Sequence, residues 1–124
     1  MFTHICVSAR DLDESQKFYD ATLTPLGIDN MGRLGERMQG YSTPTGRLLV
    51  TIPANGEPAT AANGGTIGFV APSAEAVDAF HAAGLANGGT CEGAPGPRAG
   101  AGGAYGAYLR DPVGNKICAF HGLW

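Results

Sequence analysis

This chain lacks the features that would suit it to nucleic acid, a membrane or an oxidising compartment. Lys and Arg number 8 against 11 Asp and Glu, and no basic run occurs, so a polyanionic partner has no electrostatic footprint. No stretch approaches the roughly 20 apolar residues of a membrane-crossing helix. The opening MFTHICVSARDLDE has no charged segment followed by a long apolar one, so no secretory leader is expected. Cysteines number 3, are widely spaced and form no CxxC pair, which excludes a disulfide framework and points to reduced thiols. The expectation is a cytoplasmic protein with neither nucleic acid nor membrane as partner. What the chain has in quantity is glycine, 20 of 124 residues, and it falls in loops rather than in a short repeat.

The apolar pattern divides the chain into two similar halves. FTHICVSA (2–9) reads as a strand, and Asp11 caps a helix through LDESQKFYDATL that stops near Pro25 and Gly27. Leu12, Tyr19, Leu23 and Leu26 give that helix one apolar face. Strands are predicted near 28–33, 36–42 and 47–53, followed by a small-residue linker at 54–65. The second half repeats the plan with a strand at 66–71, a helix capped by Ser73, and strands near 89–93, 104–110 and 115–121. On the second helix Val77, Phe80 and Leu85 are expected to point inward and His81 to lie on the surface.

A shift of about 62 positions lays one half on the other. Ile5 falls on Ile67, Ala9 on Ala71, Asp11 on Ser73, Phe18 on Phe80, Leu23 on Leu85 and Gly27 on Gly89. Past the helix the second copy is longer by about six residues, assigned to GAPGPRAGAGG (93–103). Gly46 then matches Gly114, and Val50 matches Cys118.

Each half is thus a β-α-β-β-β unit, too small to build its own core. The expected fold is α+β. Two βαβββ modules join edge to edge in one curved eight-stranded mixed sheet around a cleft, with the helices outside. The chain is one domain, 1–124, with module one at about 1–56, the linker at about 54–65 and module two at about 66–124.

Strand alternation assigns the cleft lining. His4, Cys6 and Ser8 share one face of the first strand, and the same parity adds Val50, Ile52, Thr66, Gly68, Cys118 and Phe120. Arg98 and Tyr105 are added to the lining from the glycine-rich segment 93–105, which is read either as a lid or as a surface connection. Cys91, beside that segment, carries no signal of its own. A lining of this kind suits a small, partly hydrophobic organic molecule.

The strings THICVSARDLDESQKFYDATLTPLG and YGAYLRDPVGNKICAF resemble the vicinal oxygen chelate superfamily, which includes glyoxalase I, the extradiol dioxygenases and the bleomycin- and fosfomycin-resistance proteins. The resemblance implies the same paired-module fold, a homodimer, and a divalent metal held by the first and last strands of each unit. Carried over, those positions are His4, Val50, Thr66 and Cys118. Valine cannot ligate and threonine is a weak neutral donor, leaving His4 and Cys118, with Cys6 a remote third. A zinc site wants three or four His, Cys or carboxylate ligands, and an iron facial triad wants two histidines and a carboxylate. The expectation is therefore a pocket without metal or other cofactor, in which Cys118 is a small buried hydrophobe standing where the family has a glutamate. Binding alone and catalysis with His4 as acid or base both remain open. The alternative is a metal-dependent glyoxalase-like lyase or dioxygenase with His4 and Cys118 as ligands.

Overall fold

A computed structural model describes all residues, 1–124. Strand β1 (His4–Ser8) leads to helix α1 (Leu12–Leu23), and a short 3-10 turn follows before β2 (Asp29–Arg33), β3 (Met38–Thr43) and β4 (Gly46–Thr51). The second module repeats this as β5 (Thr66–Val70), α2 (Ala74–Ala86), β6 (Thr90–Pro97), β7 (Tyr105–Arg110) and β8 (Lys116–His121). Both helices start at the expected caps. Asp11 accepts from the Asp13 and Glu14 amides at 2.8 and 3.1 Å, and Ser73 accepts from the Ala76 amide at 3.1 Å.

The strands pair in the orders β1-β4-β3-β2 and β5-β8-β7-β6, each with one parallel pair, β1 with β4 and β5 with β8. Both βαβββ modules are as expected, but the eight strands form two four-stranded sheets rather than one continuous sheet. No ladder joins β1 to β5. Side chains make the connection instead. Ser8 Oγ donates to the Thr60 carbonyl of the linker at 2.7 Å, and Asn115 Nδ2 donates to the Ser8 carbonyl at 2.9 Å.

One core serves both modules. A cluster of 18 buried apolar residues runs from Val7, Phe18 and Leu23 through Val77 and Phe80 to Leu109 and Ile117. The helices α1 and α2 pack on each other within it. Phe18 lies against Gly89, just past α2, where a side chain would collide with its ring.

The modules are also locked by a buried polar knot. In the turn between β7 and β8, Asp111 accepts from the Val113, Gly114 and Asn115 amides at 3.0, 2.9 and 2.8 Å. Its second oxygen accepts from Asn115 Nδ2 at 2.8 Å and from the Tyr19 hydroxyl of α1 at 2.7 Å. Burial, with the Asp111 carboxylate beside it, pushes the Tyr19 phenol well above its ordinary value. Burial and the Asp20 carboxylate do the same for Tyr41. Both phenols therefore hold their protons more tightly in the folded chain than in the unfolded one. Their contribution to stability is complete below the unfolded tyrosine value near 10 and is lost as pH rises above it. Urea unfolding at rising alkaline pH should show stability falling above about pH 10, with a shallower fall in Tyr19→Phe. A flat profile would contradict this account.

Two expectations about α2 are corrected. His81 is 8% exposed rather than a surface residue, and Leu85 is 47% exposed rather than inward. The buried stripe is Val77, Phe80, His81 and Gly84, at helical spacing. The segment 93–105 is a hairpin arm rather than a free connection. Strand β6 continues to Pro97 opposite Tyr105, and the Arg98 amide donates to the Ala104 carbonyl at 2.9 Å.

Candidate functional site

Register decides which side chains share a face. His4, Cys6 and Ser8 of β1 pair with Arg47, Leu49 and Thr51 of β4. On β5, Thr66, Gly68 and Val70 pair with Lys116, Cys118 and Phe120. These residues form the open faces of the two sheets, opposite the shared core. His4, Cys6, Ser8, Thr66, Gly68, Cys118 and Phe120 therefore lie on the faces assigned to them.

Val50 and Ile52 do not. Val50 is fully buried in the core and Ile52 packs against it, so both point to the helix side. The error is a slip of one residue, which turns every side chain to the opposite face. Residues 43–46 separate the paired Ser42 and Arg47, whereas residues 111–115 separate Arg110 and Lys116, one residue more. Gly114 sits inside that turn at a φ of 104°, while Gly46 already belongs to β4, so they are not equivalents. The counterpart of Cys118 is Leu49, which pairs with Cys6 as Cys118 pairs with Gly68.

Tyr105 is corrected in the same way. Its hydroxyl donates to Asp78 of α2 at 2.6 Å, on the helix side. Tyr108 takes the open face, opposite Cys118. Alternation counted back from Cys118 through the β7–β8 turn would have chosen it. Arg98 does reach this face. Its guanidinium donates to the Ala94 and Gly96 carbonyls and lies 5.8 Å from the Tyr108 ring centre, with the Lys116 ammonium 5.1 Å from the same ring.

Cys118 is 5% exposed and packs with Ala104 and Phe120 under Tyr108. Burial pushes its thiol up to about 11, with Lys116 opposing only in part. A thiol held protonated in apolar surroundings is a poor ligand and a poor nucleophile. His4 is exposed, its Nδ1 3.0 Å from Thr3 Oγ1. The metal positions implied by the fold are thus His4, Leu49, Thr66 and Cys118, a set with one good donor. No group of three or more His, Cys, Asp or Glu side chains is placed to hold a metal ion. The residues do not fit a chelated divalent ion.

Two cavities lie between the sheets, and both include Ile5 of β1 and Ile67 of β5. The first, about 410 Å³, is walled mainly by Leu26, Ile28, Leu48, Phe69 and Val70, with Arg47 its one charged residue. The second, about 470 Å³, brings together Cys6, Ser8 and Thr66 with Asn115 and Lys116. Gly68 lines the first, whereas His4, Cys118, Phe120 and Arg98 line neither. Sequence reasoning missed Arg47 and Lys116, because a charged residue beside a turn reads as solvated surface.

The description "Glyoxalase/Bleomycin resistance protein/Dioxygenase superfamily" belongs to a family model that matches residues 2–119. The chain belongs to this superfamily. A solved glyoxalase/bleomycin resistance protein from Albidiferax ferrireducens T118 is 56% identical, with a TM-score of 0.90 over 97% of this chain and 98% of that one. A lactoylglutathione lyase from Agrobacterium tumefaciens is 23% identical, with a TM-score of 0.68 over 99% and 94% of the two chains, a likeness of fold alone. The same holds for a glyoxalase/bleomycin resistance protein/dioxygenase family enzyme from Burkholderia phytofirmans PsJN, 19% identical, with a TM-score of 0.73 over 96% of each chain. No protein of curated function matches the chain. As a superfamily member the chain has the paired modules, with His4, Leu49, Thr66 and Cys118 at the corresponding positions of their first and last strands.

Proposed function

We propose that this superfamily member binds a small, largely apolar organic molecule bearing one anionic group, without a resident metal ion. The supporting observation is the cavity of about 410 Å³ between the sheets, apolar on most sides with Arg47 its one charge. Its volume lies in the range of small-molecule sites, and a single cation on an apolar wall orients a carboxylate or phenolate. The donor set supports the metal-free part of the reading. Leu49 offers nothing, Thr66 only a neutral hydroxyl, and Cys118 a protonated thiol. Two weakly matched donors leave most of a coordination shell to water.

The test uses protein purified without chelator. Elemental analysis should find less than about one-tenth equivalent of Zn, Ni, Mn or Fe, as the ligand count requires. Aryl and short alkyl carboxylates at millimolar concentration should raise the unfolding temperature of the unaltered protein and of His4→Ala. The shift should shrink in Arg47→Ala. Near-stoichiometric metal abolished by His4→Ala would overturn the reading in favour of a metal-dependent lyase or dioxygenase. A ligand shift indifferent to Arg47 would move the site away from this cavity.

A further inference from the structure

The three cysteines stand in different surroundings. Cys118 is buried and its thiol is held protonated. Cys6 is exposed on the open face of β1, with no titratable side chain hydrogen-bonded to it. Cys91 is exposed on β6, and its Sγ lies 3.2 Å from Nε2 of His81. Strand β6 packs on α2, and the imidazole, itself 8% exposed, comes up from the helix beneath the thiol. A buried base thus touches an accessible sulfur.

We propose that Cys91 and His81 form a thiol–imidazole pair that makes Cys91 the reactive thiol of this chain, open to exchange with small disulfides. The Cys91 proton passes to His81 Nε2, and the thiolate attacks one sulfur of R–S–S–R. A bond forms between Cys91 and that sulfur, the original S–S bond breaks, and the departing thiolate takes the proton from His81. The products are a mixed disulfide at Cys91 and one free thiol, with no other oxidant consumed.

The setting favours the neutral imidazole that this step needs at its start. Burial lowers the His81 pKa, and Asp78 on the same helix opposes the effect. The other titratable group on this side is Tyr105 of β7, whose hydroxyl is engaged with Asp78. Opposite Cys91 on β7 lies apolar Leu109. The nearby charges Glu92 and Arg110 are occupied with each other at 2.9 Å.

Labelling of the folded chain with a chromogenic aromatic disulfide or with glutathione disulfide, followed by peptide mapping, tests the proposal. Cys91 should react about tenfold faster than Cys6, and Cys118 should react only after unfolding. His81→Gln should slow Cys91 by about tenfold and leave Cys6 unchanged, so Cys6 reports reagent access and Cys118 reports folding. If that variant unfolds, the unaltered chain decides the matter by the ratio of Cys91 to Cys6 labelling under one set of conditions. Equal rates for Cys6 and Cys91, or an unchanged rate in His81→Gln, would each overturn the pair. None of these readouts depends on the ligand cavity.

Discussion

Asp111→Ala should lower stability by about 3–5 kcal/mol, the usual cost of removing one member of a buried charged network. Asp111 is 4% exposed and satisfies three backbone amides, the Asn115 amide group and the Tyr19 hydroxyl. Alanine removes the acceptor that all of those buried donors share. Both local and distant structure depend on it, since Tyr19 belongs to the other module and Asn115 holds the Ser8 carbonyl. For a chain of this length the unfolding midpoint should fall by roughly 10–20 °C, measured by thermal and urea denaturation. Asp111→Asn keeps one acceptor for the turn amides, so its loss should be less than half as large. Equal losses would show that the charge, rather than the turn, dominates.

The second large effect is expected at Gly89, where alanine should cost about 2–4 kcal/mol through overpacking. A β-carbon there would run into the Phe18 ring and lie 2.8 Å from the Arg110 carbonyl and 3.0 Å from the Gly84 carbonyl. The ring can turn away only into a filled core, and the two carbonyls belong to backbone that cannot move without shifting α2 or β7. The companion substitution Gly100→Ala has open space around it and should be nearly silent. Urea unfolding of both variants measures the contrast, and a small loss at Gly89 would mean that the helix interface is looser than its geometry.

These two residues show what the sequence made readable. Gly89 was matched with Gly27 as a helix terminator, and both do follow helices. Their reasons differ, however. Gly27 takes a φ of 73° that other residues resist, while Gly89 is required by the aromatic ring pressed against it. The first reason is local and legible in a sequence, whereas the second appears only when the modules pack. The caps and the succession of elements were legible because each follows from a few adjacent residues, such as Asp11 or the DPVGN turn. The inward face of α2 was not. AEAVDAFHAAGLA marks its exposed side with only two acids, Glu75 and Asp78. Leu85, seven residues past Asp78, falls on that side, but its apolar character and the polarity of His81 pointed the other way, so the two exchanged places.

The candidate site was half legible for a related reason. Strand parity places His4, Cys6 and Ser8 correctly because it is counted within a single strand. Val50 was placed by carrying parity across a turn one residue longer than its partner. A change of one residue is invisible in composition but reverses the face. The conclusion about metal survives the correction because Leu49 is as inert toward a cation as Val50.

The two outer strands bear on how the folded chain behaves at high concentration. Strand β2 is broken by a bulge between Asn30 and Gly32, and β6 by irregularities at Cys91, Gly93 and Gly96. Strand β6 also carries Pro95 and Pro97, which have no amide hydrogen to offer. A foreign strand docking on either edge would find the hydrogen-bond spacing interrupted within a few residues, so neither edge can template a growing cross-β stack. The other two edges, β1 and β5, pair in unbroken register with β4 and β8, and their residues are mostly exposed. Strand addition by a second copy is therefore directed to β1 and β5 rather than to β2 and β6.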